Sequence, residues 1–210
     1  MLQRITGSAA LVIAALTALA FVLIALLWSP QQAALVLGFI PARWSGAPID
    51  WAAAPALLTP LTATLVHSGL LHLGFNLLIL VYCGLAVEKV LGRTGVVILY
   101  IAGAFVAAFA QWAVGPNEVA PMVGASGAVS AVIGAYSLSF GRARPVTRSP
   151  ALNRWLNALW LMVAWIALQL MTGYLAGAQG TLLATPAHIG GFLAGLLLQR
   201  PLLLWRYRSA

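Results

Sequence analysis

The sequence predicts an all-α, polytopic membrane protein, a bundle of six transmembrane helices with both termini in the cytoplasm. Three observations predict it. Of the 210 residues 62% are hydrophobic and 7% charged, too little charge to coat a water-soluble domain of this size. Six apolar runs reach the roughly 20 helical residues that cross a hydrocarbon core about 30 Å thick. The basic residues gather at the ends of those runs, so the bilayer explains a net charge of +8 better than a nucleic-acid partner does.

The first run covers residues 9–28. Arg4 precedes it, but its apolar core exceeds the roughly 7–15 residues of a secretory signal and no small-residue cleavage site closes it, so it reads as a retained span. The remaining runs cover residues 64–87, 96–114, 122–140, 155–175 and 184–204. They make a single domain over residues 1–210, with only a handful of residues ahead of the first span. A cytoplasmic N-terminus puts Arg4, Lys89, Arg93, Arg142, Arg144, Arg148, Arg154, Arg200, Arg206 and Arg208 inside and only Arg43 outside. That is ten basic residues against one.

The connections fit this topology. The first loop, residues 29–63, is long and mixes Pro30, Pro41, Pro55 and Pro60 with Trp44 and Trp51, which suits the headgroup region. Gly115 to Glu118 form a short outer connection, and Arg142 to Arg154 a cytoplasmic anchor. Cys83 is the single cysteine, so no intramolecular disulfide forms. No internal repeat is evident, which counts against an inverted-repeat transporter.

Polar groups at membrane depth are costly and point to function. His67, His72, Asn76, Ser126 and His188 stand out. His72 is expected roughly 12 Å below the outer end of the second span. Ser126 and His188 each fall about four residues below the outer ends of their spans, so all three share the outer half of the bilayer. His72 and Asn76, at i and i+4, share one helix face. His67 should lie about 140° round the same helix, away from that face, in an interfacial or packing role.

Ser126 sits in Gly124-Ala125-Ser126-Gly127, a run that suits a close-packing seam as well as a nucleophile. Ser126, Ser130 and Gly134 form one small-residue stripe, and Ala187, Gly191 and Gly195 another. Two such stripes let the fourth and sixth spans approach closely, which would bring Ser126 within reach of His188. Histidine at that distance activates a serine hydroxyl. Asp50, Glu88 and Glu118 are the only acids, and none is placed to orient His188, so the chemistry expected is a Ser–His dyad. Asn76, His72 and the Ser126 backbone N–H are candidate oxyanion donors.

These residues resemble the motifs of the rhomboid intramembrane proteases, over essentially the whole chain. The family's H-x-x-x-N is matched by His72 and Asn76, its G-x-S-G by Gly124, Ser126 and Gly127, and its A-H-x-x-G-x-x-x-G by Ala187, His188, Gly191 and Gly195. The run Gly84 to Glu88 is similar to the family's end of the second span. The resemblance implies a rhomboid-like bundle and a serine-type endopeptidase, with Ser126 as nucleophile, His188 as general base and acid, and His72 with Asn76 in the oxyanion hole. It implies transmembrane protein substrates cut near their outer ends, no cofactor and no metal, and, by analogy, a bacterial inner membrane. Two features depart from the pattern. Ser130 stands where many relatives carry a tyrosine stacked on the histidine, and Arg43-Trp44 where they commonly show Trp-Arg.

Other classes explain less. Haem or metal ligation by His72 and His188 leaves Asn76 and the Gly124–Gly127 run unused. A catalytically inactive rhomboid-like factor that binds membrane proteins would favour loss of the serine or histidine, and both are present. A transporter lacks a membrane-embedded acid.

Overall fold

A computed structural model describes residues 7–140, 145–175 and 184–208; Arg4, Arg142 and Arg144 lie outside the described residues. Among the described residues the regular elements are helices, with one isolated antiparallel bridge between Phe39 and Met122. Helix α1, Ala9–Leu27, starts at Ser8, whose hydroxyl accepts from Leu11 N–H. Its buried residues, Ala10, Ala14 and Thr17, recur every three to four positions on one face. Leu16, Leu19, Leu23 and Leu26 on the remaining surface stay exposed.

The long first loop is built rather than loose. It contains α2 (Pro30–Leu37), entered through a reciprocal cap between Ser29 and Gln32, α3 (Pro41–Trp44) and α4 (Thr59–Thr62), the last flanked by two 3-10 turns. Arg43 Nη2 donates to the Ala54 carbonyl at 2.8 Å and Trp44 Nε1 to the Ala56 carbonyl at 2.9 Å. The Phe39 and Met122 backbones exchange bonds of 2.9 and 2.7 Å, fastening this loop to the segment ahead of α6.

Helix α5 runs Leu70–Val114, 45 residues broken at Gly92, which takes a left-handed φ of 76°. A straight helix would hold residues 72 and 107 roughly 50 Å apart. Instead, a Cβ built on Gly124 would lie 2.6 Å from the His72 ring, and one built on Gly127, three residues on, 2.6 Å from Ala107. The chain therefore reverses at Gly92, and α5 is a hairpin of two helical legs, residues 70–91 and 93–114. The second and third apolar runs fall on these legs, with boundaries moved. Residues 64–69 are not part of the helix, because a 3-10 turn and the extended stretch at Val66 precede it.

Helix α6, Ser126–Phe140, begins four residues later than the apolar run suggests, because Gly124 has a φ of 114° that no helix accommodates. Its 15 residues span about 22 Å, short of the hydrocarbon core. It is the central element, buried continuously from Ser126 to Ala135. Around it stand the legs of α5, α7 (Pro150–Leu175) and α8 (Thr185–Arg206). Among the described residues α1, α5, α7 and α8 are long and apolar enough to cross a membrane.

The seams form as expected, with a shift in residues. A Cβ on Gly191 would run into the Gly127 carbonyl, one on Gly195 into the Ala131 carbonyl, and one on Gly134 into the Phe192 carbonyl. Side chains are excluded along this crossing, so the backbones of α6 and α8 touch. At the opposite end of the bundle, the Glu88 carboxylate accepts from Ser8 Oγ at 2.7 Å and Ala10 N–H at 3.1 Å, holding the start of α1. Arg93 lies 3.8 Å from the same carboxylate, and Arg206 caps the Lys89 carbonyl at 2.8 Å.

Candidate active site

Three helix beginnings meet at one end of the bundle. His72 is the third residue of α5, Ser126 the first of α6 and His188 the fourth of α8. The 12 Å depth expected for His72 shrinks accordingly, because its helix begins at Leu70. Pro186 is the second residue of α8, where a missing N–H costs nothing, and His188 N–H bonds to the carbonyl of the capping Ala184 at 3.1 Å.

Ser126 Oγ and His188 Nε2 are 2.8 Å apart, both side chains being buried. This is the distance of a serine O–H donating to a neutral imidazole. No carboxylate reaches His188 among the described residues; its side chain meets Ser126, Gln169 and Trp165 among others. The Gln169 amide lies 3.4 Å from His188 Nε2, with Oε1 unpartnered. The Trp165 ring stands edge-on to the imidazole, centroids 6.4 Å apart.

The other side of Ser126 carries donors. Ser126, Gly127 and Ala128 open α6, whose first helical bond runs from Val129 N–H to the Ala125 carbonyl, so their N–H groups have no partner within the helix. The His72 ring lies against Gly124, and Ser68 Oγ meets its Nδ1 at 3.1 Å. With Ser68 donating, Nδ1 accepts and Nε2 carries the proton, on the Gly124 side of the ring. Asn76 is fully buried, donates to the His72 carbonyl at 2.9 Å and leaves Oδ1 unpartnered. A cavity of about 10 Å³ beside Ser126, lined also by Pro60, Met122, Gly124 and Ala184, is close to the least that one water needs.

For His67 the expected position round the helix fails, while the expected packing role fits what it touches. It precedes the helix, so the angular argument does not apply. Its ring lies 5.0 Å from that of His72, and its Nε2 accepts from Ala125 N–H at 3.4 Å, next to Ser126. His67 thus sits behind the site and holds the entry to α6. Sequence reasoning also passed over Trp165 and Gln169. The available signal was a glutamine within an apolar run, one helical turn after a tryptophan.

Residues 55–205, more than two thirds of the chain, match the family model described as the rhomboid domain. The chain is 33% identical over 135 residues to the rhomboid protease GlpG of Pectobacterium atrosepticum, covering 64% of this chain and 44% of that one. It is 29% identical over 133 residues to rhomboid-related protein 2 of Mus musculus, covering 63% and 43%. RHOMBOID-like protein 5 of Arabidopsis thaliana matches over 139 residues at 29% identity, covering 66% and 42%. These matches span less than half of each relative's length. With the apolar helices of its fold, the chain is an integral, multi-pass membrane protein, and it belongs to the rhomboid family.

Proposed function

We propose that the protein is an intramembrane serine endopeptidase that hydrolyses peptide bonds in or near the transmembrane segments of other membrane proteins. The hydrogen bond of 2.8 Å between Ser126 and His188 carries this reading, because a buried serine facing a neutral imidazole is a nucleophile with its base. Similarity to a relative named a rhomboid protease supports it. The topology proposed with it has six spans, the legs of α5 and the short α6 included, and both termini cytoplasmic. The site then opens to the outside, and the membrane is a bacterial inner membrane.

In the reaction, Ser126 Oγ attacks the scissile carbonyl as its proton passes to His188 Nε2. The negative oxygen of the tetrahedral intermediate takes hydrogen bonds from the first-turn N–H groups of α6, at the positive end of that helix, and from His72 and Asn76. His188 then protonates the leaving amine. Water, activated by the same imidazole, hydrolyses the acyl-enzyme and restores the dyad. A Gln169 amide turned with Oε1 toward His188 would accept from the imidazolium. That contact is to Nε2, the nitrogen that also meets Ser126, and no acid reaches His188 among the described residues.

Purified protein reconstituted with a reporter transmembrane helix tests this. Wild type should cleave, and Ser126→Ala should fall by at least about 10⁴-fold. Cleavage by Ser126→Ala at the wild-type rate, or a wild type that holds the reporter intact, ends the protease reading.

A further inference from the structure

Helix α7 touches the bundle sparingly. Among its described residues Asn153, Ala158, Trp165 and Gln169 are buried, while Trp160, Val163, Leu170 and Met171 are exposed. Trp165 and Gln169 stand one turn apart on one face. Both carry an N–H into the interior, and both end at the Ser126–His188 pair.

The Trp165 contact is the more constrained. Its indole Nε1 donates to Ser130 Oγ at 2.7 Å, and the Ser130 hydroxyl donates to the Ser126 carbonyl at 2.6 Å. The carbonyl one turn back takes up the serine's only donor, leaving its oxygen as an acceptor for a group arriving from α7. A buried indole N–H needs such a partner. Ser130 is fully buried, and its short side chain leaves room for the indole. The ring, fixed at its nitrogen, then lies edge-on to His188.

We propose that Trp165, anchored on Ser130, is the positioning residue that holds the His188 imidazole on Ser126. The inference rests on the protease reading above. The imidazole must keep Nε2 aimed at the same oxygen while it takes and returns a proton, and among the described residues no carboxylate holds its far side. The indole blocks rotation away from Ser126, and the Ser130 bond stops the indole from following. The same hydroxyl bonds to the nucleophile's own carbonyl, so one side chain ties α7 to both members of the pair.

A double-mutant cycle on the purified full chain tests it, with kcat, KM and the rate at which a fluorophosphonate modifies Ser126 as readouts. Trp165→Phe keeps a ring and loses the N–H, whereas Ser130→Ala loses the acceptor. Each should lower kcat and the labelling rate by about tenfold with KM little changed, since a nucleophile displaced by 1 Å costs on the order of 10²-fold. The double variant should be no worse than either single one, because both break the same link. Multiplying losses, or Trp165→Phe as fast as wild type, would overturn the proposal. So would a fall confined to KM or to melting temperature. Ser126→Ala run alongside separates the two readings. If it is inactive while the cycle is multiplicative, the positioning role fails and the protease reading stands; if it cleaves at the wild-type rate, both fail.

Discussion

At the scale of the residue, the site depends on glycine as much as on serine and histidine. Gly124 combines a φ of 114° with a Cβ position 2.6 Å from His72 Cε1. Two independent constraints, backbone strain and the space the ring occupies, therefore exclude a side chain. Gly124→Ala should cost about 1–3 kcal/mol of stability through the backbone and push His72 from its place. The expected result is a lower melting temperature together with a loss of cleavage larger than the stability change explains. Gly46, also at positive φ, faces open space; its alanine variant should keep its activity and serves as the control. The four polar residues of the proposed site were legible because histidine, asparagine and serine are rare and expensive in apolar runs. Trp165 was not legible, since tryptophan is ordinary in a membrane span and only its neighbours give this one a task.

At the scale of the element, contacts between glycines and backbone carbonyls set the distance between α6 and α8, and that distance sets how Ser126 meets His188. Gly191 lies one turn below His188 and against the Gly127 carbonyl, one residue from Ser126. A methyl group at position 191 has no flexible neighbour to displace, so the helices themselves must separate. Gly191→Ala should destabilise by about 1–3 kcal/mol, the usual penalty for overpacking. It should lower kcat by more than tenfold because Ser126 and His188 part. Thermal melting and single-turnover cleavage read the two effects separately. The stripe of small residues was visible in the sequence as a four-residue repeat. Which member meets which carbonyl was not, because the register of two crossing helices depends on their angle and on the neighbours packed behind them.

At the scale of the whole molecule, the two ends of the bundle differ in chemistry. One gathers Glu88, Arg93 and Arg206 around the start of α1 and the reversal at Gly92. The other gathers the helix beginnings, the folded first loop and the polar side chains of the proposed site. The proposed orientation puts the first end in the cytoplasm, and cysteine accessibility tests it. Cys83 is buried and serves as a silent background. In right-side-out vesicles Ala47→Cys, on the exposed first loop, should react with a membrane-impermeant maleimide, and Val146→Cys should react only after lysis. The reverse pattern would invert the topology while leaving the internal geometry as described.

The amino-acid sequence by itself determined the membrane class, the helical elements and the polar residue types of the proposed site. Those follow from hydropathy and spacing along the chain, which act locally. Only the tertiary structure decided that α5 folds back on itself at Gly92, that His67 stands outside the helix yet beside His72, and that α7 supplies Trp165 and Gln169 to the pair. Each of these depends on which distant backbones come into contact. A local pattern can state that a helix has a small or a polar face; which partner that face meets is settled by the packing of all the helices at once.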